Sequence, residues 1–238
     1  MNIALIGYGK MGKTIESVAI SRGHRISHKI DLDNPEAWDN LSPENTDVAI
    51  EFTGPHSAFE NVKKCIEKSV PLVCGSTGWL DKFDEIVNLT KKLDGSFLYA
   101  SNFSVGVNIF FELNKKLAQL MASHPEYDVS LKEVHHTQKK DAPSGTAITL
   151  AEEVLANIRS KKYWVNRDTE NPDELSVTSE RIDPAPGTHH IRYHSAIDDI
   201  EIIHTAHSRN GFALGAVLAA EFLPGKKGVF GMKEVLGI

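Results

Sequence analysis

The sequence predicts an α/β protein in two parts: a parallel-sheet domain followed by a mixed-sheet α/β domain. Three observations predict it. Short apolar runs alternate with helical patterns over the first hundred residues. Strand-like segments dominate after Tyr127. A final apolar helical stretch, Phe212–Leu223, closes on Pro224-Gly225.

The first run, residues 2–6, is a strand, and Gly7-Tyr8-Gly9-Lys10-Met11-Gly12 follows at once. Met11, Ile15, Val18 and Ala19 mark one helical face that stops at Gly23, and residues 24–30 form a second strand ending in Asp31. This is a βαβ unit carrying G-x-G-x-x-G with an acid roughly 20 residues on, the pattern that binds a dinucleotide in a Rossmann domain. Gly7 permits the tight turn, Gly9 the approach of backbone to pyrophosphate and Gly12 close helix–strand packing. Asp31 suits the adenosine ribose. Residues 47–52, 70–74 and 97–100 continue the strand rhythm, with a helix through Lys68 between the first two. Ligands in such sheets lie at the carboxyl ends of the strands. The loops at Thr53–Pro55, Gly75-Ser76-Thr77 and Ser101-Asn102-Phe103-Ser104 are therefore expected on one edge facing one cleft, with Gly75-Ser76-Thr77 suited to a nicotinamide carboxamide or ribose. A helix from about Asn108 to Ser123 follows, and the linker falls near 102–108.

Later strands are expected at 129–135, 176–181, 189–194 and 201–207, with one helix at about 146–160 and a hairpin tip at Asp198-Asp199. Residues 155–188 are the least legible. Within this region Glu133 to Ala147 reads Glu-Val-His-His-Thr-Gln-Lys-Lys-Asp-Ala-Pro-Ser-Gly-Thr-Ala. It places a histidine and Lys139 just before a helix start at Pro143-Ser144-Gly145-Thr146, whose backbone N–H groups can seat a carboxylate. His189, His190, His194, His204 and His207 do not form a metal pattern, because adjacent strand residues face opposite ways, so no metal is expected. These histidines, with Arg192 and Arg209, are expected to face a cleft for an anionic substrate.

Bulk properties narrow the classes. At 238 residues, 41% hydrophobic and 24% charged, the chain predicts a soluble globular protein with a sizeable core. A net charge of -6 argues against broad nucleic-acid binding. No apolar run approaches the roughly 20 residues that span a bilayer, and the apolar start followed by glycines fits a strand and turn better than a signal peptide. Cys65 and Cys74 lie in apolar surroundings and fit buried thiols in a reducing cytoplasm.

These residues resemble one family closely, the 4-hydroxy-tetrahydrodipicolinate reductases (dihydrodipicolinate reductases). The glycine loop, Gly75-Ser76-Thr77-Gly78, residues 101–108 and all fixed positions of E-x-H-H-x-x-K-x-D-A-P-S-G-T-A between Glu133 and Ala147 match. The resemblance implies a Rossmann dinucleotide-binding domain, 1–104 with 212–238, and a mixed-sheet α/β substrate and oligomerisation domain, 105–211. It implies a cytoplasmic homotetramer that uses NADH or NADPH to reduce a small cyclic dicarboxylate in the diaminopimelate route to lysine, with no nucleic-acid or membrane partner. It assigns His135 and Lys139 to catalysis and His136, Ser144, Gly145 and Thr146 to substrate. Gly7, Tyr8, Gly9, Lys10, Met11, Gly12, Asp31, Gly75, Ser76, Thr77, Ser101, Asn102, Phe103 and Ser104 go to the cofactor.

Departures from the family pattern are specific. The glycine loop is one residue shorter than in many relatives. Leu32 follows Asp31, where many relatives carry an arginine able to pair with a 2′-phosphate. This favours NADH, with Lys10, Arg25 and Lys29 the basic residues nearest a phosphate. Asp183-Pro184 replaces a glycine pair, and Leu214 an asparagine. Another two-domain nicotinamide dehydrogenase would share the first hundred residues but would not need the His-His, Lys and Ser-Gly-Thr segment. A nucleotide-sensing regulator would not need a proton donor.

Overall fold

A computed structural model describes all 238 residues. In chain order the elements are β1 (Asn2–Ile6), α1 (Lys10–Ser21), β2 (Arg25–Ile30), β3 (Val48–Glu51), α2 (Ala58–Glu67), β4 (Leu72–Cys74), α3 (Phe83–Lys92), β5 (Ser96–Tyr99) and α4 (Val105–Met121). Then come β6 (Asp128–His135), α5 (Gly145–Asn157), β7 (Tyr163–Val165), β8 (Glu174–Arg181), β9 (Gly187–His194), β10 (Asp199–Ala206), α6 (Asn210–Phe222), β11 (Gly228–Phe230) and α7 (Met232–Leu236). Two compact units result: Met1–Val105 with Asn210–Ile238, and Gly106–Arg209.

The first unit is built on a six-stranded sheet in the order β11-β5-β4-β3-β1-β2, with every pairing parallel. Period-2 alternation divides its core. Ile3, Leu5, Val48, Ile50, Val73 and Leu98 face α1 and α6, packing on Ile15, Ala19, Ala213, Ala216 and Val217. Ala4, Ile6, Ala49, Leu72, Cys74 and Phe97 face the other way, onto Val62, Cys65 and Ile66 of α2 and Ile86 of α3. Strands buried on both faces are largely apolar on both, which is why Ile3–Ile6 of β1 and Val48–Ile50 of β3 read as continuous hydrophobic runs. Cys65 and Cys74 are fully buried in this second layer, and burial pushes both thiols upward, as expected of inert core residues.

The second unit carries a five-stranded mixed sheet, β10-β9-β6-β8-β7. β6 pairs parallel with β8 and antiparallel with β9. Val129 and Leu131 of β6, Leu175 and Val177 of β8, and Ile191 and Tyr193 of β9 pack against Ala147, Leu150, Ala151 and Val154 of α5. α3, β7, β11 and α7 are additions to the sequence-based elements, and α5 ends at Asn157 rather than near Ser160. The β9–β10 tip is also shifted. Ser195 to Asp198 makes the turn, with Ser195 Oγ accepting from the Ile197 and Asp198 N–H groups, while Asp199 already pairs with His194.

Candidate active site

In the first unit the glycine loop bridges β1 and α1. Gly7 has φ +90, and a β-carbon there would fall 2.4 Å from the Phe52 carbonyl oxygen; one at Gly12 would fall 2.3 Å from the Gly7 oxygen. Only glycine fits either place. At Gly9, by contrast, a β-carbon meets nothing within 4 Å, so the backbone at the start of α1 is open to a ligand phosphate. The Tyr8 N–H donates to Asp31 Oδ2 at 2.9 Å, and Leu32 N–H to Oδ1 at 2.8 Å, which holds the carboxylate beside the loop at the end of β2. Met11 packs on the core below, and Lys10 is exposed.

Beside Asp31 stands a small ionic cluster that the sequence did not reveal. Lys29 Nζ is 2.7 Å from Glu16 Oε1 and donates to the Tyr8 hydroxyl at 2.9 Å; that hydroxyl in turn donates to Glu16. The ammonium sits 4.4 Å from the Tyr8 ring centre. Hydrogen bonds from Lys29 and Tyr8 hold the Glu16 carboxyl below the usual range.

The other predicted loops share the carboxyl edge of this sheet, but several side chains turn inward. Ser76 is buried and its hydroxyl accepts from the Thr53 N–H at 2.9 Å, while its carbonyl accepts from Trp79 Nε1 at 2.7 Å. The ring of Phe103 is core, 5.6 Å from that of Phe52. Both side chains are engaged inward, and the two residues stand at the sheet edge where the cofactor contacts are expected. Gly75, Thr77 and Ser101 lie at the same edge, and Asn102 Oδ1 accepts from Ser104 N–H at 2.9 Å. Glu51, fully buried at the end of β3, organises the edge. It accepts from Thr53 N–H at 3.0 Å and Cys74 Sγ at 3.1 Å. Its only sequence signal was an acid closing an apolar run.

In the second unit one stripe of β6 changes chemistry along its length. Val129 and Leu131 are apolar; Glu133 and His135, next on the same face, are polar and buried as the strand reaches the start of α5. Register brings partners that no single strand reveals. Glu133 lies directly opposite His189 of β9, and His135 beside Arg181 of β8. Glu133 Oε1 accepts from Ser144 N–H at 3.0 Å and Arg181 at 3.2 Å; Oε2 lies 3.3 Å from His135 Nδ1 and 3.7 Å from His189 Nε2. Burial opposes ionisation of Glu133, but contacts from His135, Ser144 and Ser179 outweigh it and hold its carboxyl far below the usual range. His189 is pushed down to about 4 by burial, then by His135 beside it, and Lys139 is near enough to add to the effect.

Lys139 is in the loop after β6, 2.8 Å from Asp141. Arg181 shapes that loop by donating to the Lys139 carbonyl at 3.3 Å and the Asp141 carbonyl at 2.6 Å. His136 follows the last residue of β6 and is half-buried, and the following Thr137 is held by Asp183 through its N–H (3.1 Å) and hydroxyl (2.6 Å). The departure at Asp183-Pro184 therefore acts as a clamp on the motif loop. At the start of α5 the Ser144 hydroxyl accepts from Ala147 N–H at 3.2 Å and lies 3.3 Å from His189 Nε2. Ser144 is buried and its hydroxyl caps α5 within the segment expected to bind substrate. Gly145 is exposed beside it, and Thr146 follows in the first turn.

The remaining histidines divide by face. His190 is 3.4 Å from Glu201, Arg192 2.7 Å from Asp199 and 3.4 Å from Glu201, and His194 2.5 Å from Asp199. This cross-strand ladder lies on the opposite side of β9 from His189, which corrects the expectation that Arg192 and these histidines face an anionic substrate. Arg209 is exposed. Glu133, His135 and His189 place donor atoms within 4.8 Å of one another, a spacing a metal could bridge. Arg181 on the same carboxylate opposes a further cation there.

The family model "Dihydrodipicolinate reductase, N-terminus" matches residues 1–103, and "Dihydrodipicolinate reductase, C-terminus" matches residues 106–236. The chain is 51% identical to the 4-hydroxy-tetrahydrodipicolinate reductase of Christiangramia forsetii over 99% of this chain and 98% of that one. It is 35% identical to that of Methanoregula boonei, over 97% and 95%. Its fold is similar to that of a dipicolinate-bound dihydrodipicolinate reductase from Paenisporosarcina sp. TG-14, with a TM-score of 0.77, 22% identity and 98% of each chain covered. The chain belongs to the dihydrodipicolinate (4-hydroxy-tetrahydrodipicolinate) reductase family.

Proposed function

We propose that this chain catalyses the NAD(P)H-dependent reduction of 4-hydroxy-tetrahydrodipicolinate to tetrahydrodipicolinate in the diaminopimelate route to lysine. The observation that carries this reading is the convergence of Glu133, His135, His189 and Arg181 with the Lys139 loop and the start of α5, all from the matched family segment or its strand neighbours. A nicotinamide cofactor supplies the hydride when bound. His135 gives the accompanying proton to the neighbouring ring carbon. Lys139 faces a substrate carboxylate or the charge developing in the transition state, exchanging its bond to Asp141 for that interaction. Gly145 and Thr146 take a second carboxylate at the first turn of α5, and His136 assists binding.

The glycine loop fits the cofactor's pyrophosphate, since Gly9 leaves its backbone uncovered, and Asp31 fits a ribose diol. NADH is the favoured form. Asp31 would repel a 2′-phosphate, Leu32 offers no cation, and Lys29 is already held by Glu16 and Tyr8. The units Met1–Val105 with Asn210–Ile238 and Gly106–Arg209 serve as cofactor and substrate domains respectively. We also propose a cytoplasmic homotetramer assembled through the second sheet, whose edge strand β10 leaves Ile200 and Ile203 exposed. No helix is long and apolar enough to cross a membrane.

The test couples the protein to dihydrodipicolinate synthase and follows NADH and NADPH oxidation separately. Oxidation faster with NADH is expected. Absence of oxidation with both would reject the reductase reading, and faster turnover with NADPH the cofactor preference. Light scattering after gel filtration checks the tetramer.

A further inference from the structure

We infer that Glu133 is a positioning residue for His135, holding Nδ1 so that Nε2 is the nitrogen turned to substrate; this rests on His135 being the proton donor. Glu133 is fully buried and two of its neighbours claim Oε1, namely the Ser144 N–H and Arg181. Oε2 has no aligned hydrogen bond, and neither has His135 Nδ1, yet the two lie 3.3 Å apart. Each is thus the other's nearest available polar partner inside a buried site, where an unmatched group is costly. A gap of this size closes readily on substrate binding, since such bonds are often loose in a free enzyme.

The rival neighbour is poorly suited to the role. His189 Nε2 is farther from Oε2, at 3.7 Å, and faces the Ser144 hydroxyl at 3.3 Å. Burial keeps that ring neutral at physiological pH, so it acts as an uncharged wall. The ring of His135 meets it edge-on, with centroids 5.2 Å apart, which limits rotation of the imidazole. On the other side, the Nε2 edge runs alongside Gly187, where even a β-carbon would come within 3.0 Å. Three contacts therefore define one ring orientation: Glu133 at Nδ1, His189 at the side and Gly187 near Nε2.

In the reaction the Nε2–H bond breaks and its electron pair stays on nitrogen. A C–H bond forms on the substrate carbon adjacent to the one receiving hydride. The ring keeps Nδ1–H toward Glu133 and regains its Nε2 proton from solvent. Glu133 stays ionised throughout and transfers nothing.

A double-mutant cycle tests this, using NADH oxidation by the full-length protein with Glu133→Gln, His135→Asn and the combination. Glu133→Gln is expected to lower kcat roughly 10²-fold, with KM for the dicarboxylate changed by less than about threefold. The solvent deuterium isotope effect on kcat should rise, because proton transfer becomes slower. The double variant should be no slower than His135→Asn alone. Multiplying losses, a loss confined to KM, or near-normal kcat in Glu133→Gln would overturn the inference. Normal kcat in His135→Asn would instead remove the proton-donor reading beneath it. Should Glu133→Gln not fold, imidazole ¹⁵N shifts of the wild-type protein decide: Nδ1 of His135 is expected to carry a proton, and finding it bare would overturn the inference.

Discussion

Gly187 lies against the imidazole of His135, so closely that a β-carbon at 187 would sit 3.0 Å from Nε2 and 3.2 Å from Cδ2. Gly187 begins β9, and His135 ends β6. The methyl of Gly187→Ala must therefore push the ring from its place. The ring need give only a few tenths of an ångström, and the φ of +156 at Gly187 adds backbone strain for alanine, so kcat should fall about tenfold, with cofactor KM unchanged. Steady-state kinetics at saturating NADH check this, and a kcat equal to wild type would show that the ring has room to yield.

Lys139→Ala should lower kcat roughly 10²-fold, in keeping with loss of a charge that stabilises the transition state. The variant also leaves Asp141 without its ammonium partner at 2.8 Å. Lys139→Ala/Asp141→Asn separates the two effects: if the loss came only from the stranded carboxylate, the second change would restore activity.

Glu16→Gln should release Lys29. With its 2.7 Å ion pair gone, the Lys29 ammonium, on the residue two before Asp31 in the chain, is expected to turn to a 2′-phosphate. The ratio of kcat/KM for NADPH over NADH should rise about tenfold, the scale of one charge-assisted contact. An unchanged ratio would mean that Lys29 does not approach the adenosine ribose.

Ser144→Ala removes the cap of α5 and the polar neighbour of His189 Nε2. Loss of such a cap costs about 1 kcal/mol. For a chain of this size the midpoint should fall by roughly 2–4 °C. Calorimetry at pH 7 measures it, and an unchanged midpoint would show that the hydroxyl supports binding rather than the helix.

His189 gives the fold a pH dependence of known sign. Its folded value, about 4, lies below its ordinary 6.5, so the unfolded chain binds the proton more readily. The associated stability is complete above pH 6.5 and is lost as pH falls from there toward 4. A shift of this size corresponds to about 3 kcal/mol. Urea unfolding of His189→Asn at pH 7 and pH 4.5 should show a smaller decline than wild type by roughly that amount. Equal declines would place the acid sensitivity elsewhere.

Legibility of the fold followed the strength of local signals. β1, the glycine loop, α1 and β2 were plain because apolar period and glycine spacing agreed over thirty contiguous residues. α3 was missed because few apolar residues, Ile86 foremost, mark its buried face among lysines and acids. β7 and β11 have three residues each and exist through pairing with β8 and β5. The site was legible as a segment but not as a network. Period-2 reasoning correctly separated His189 from His190, yet it cannot say which strands become neighbours. Arg181 and His189 meet Glu133 only because β8 and β9 flank β6. The same limitation misdirected Arg192, whose acidic partners come from β10.

The first unit is discontinuous, with α6, β11 and α7 supplied by residues after 209. During synthesis its sheet emerges early, but the Ala213, Ala216 and Val217 face that covers Leu5, Ile50 and Leu98 arrives only after the whole of Gly106–Arg209 has been made. At ordinary elongation rates that interval is roughly 5–20 s. The nascent sheet spends that time with one apolar layer incompletely roofed, so chaperone capture on the ribosome should concentrate on this side, and the second unit, contiguous in the chain, is free to fold first.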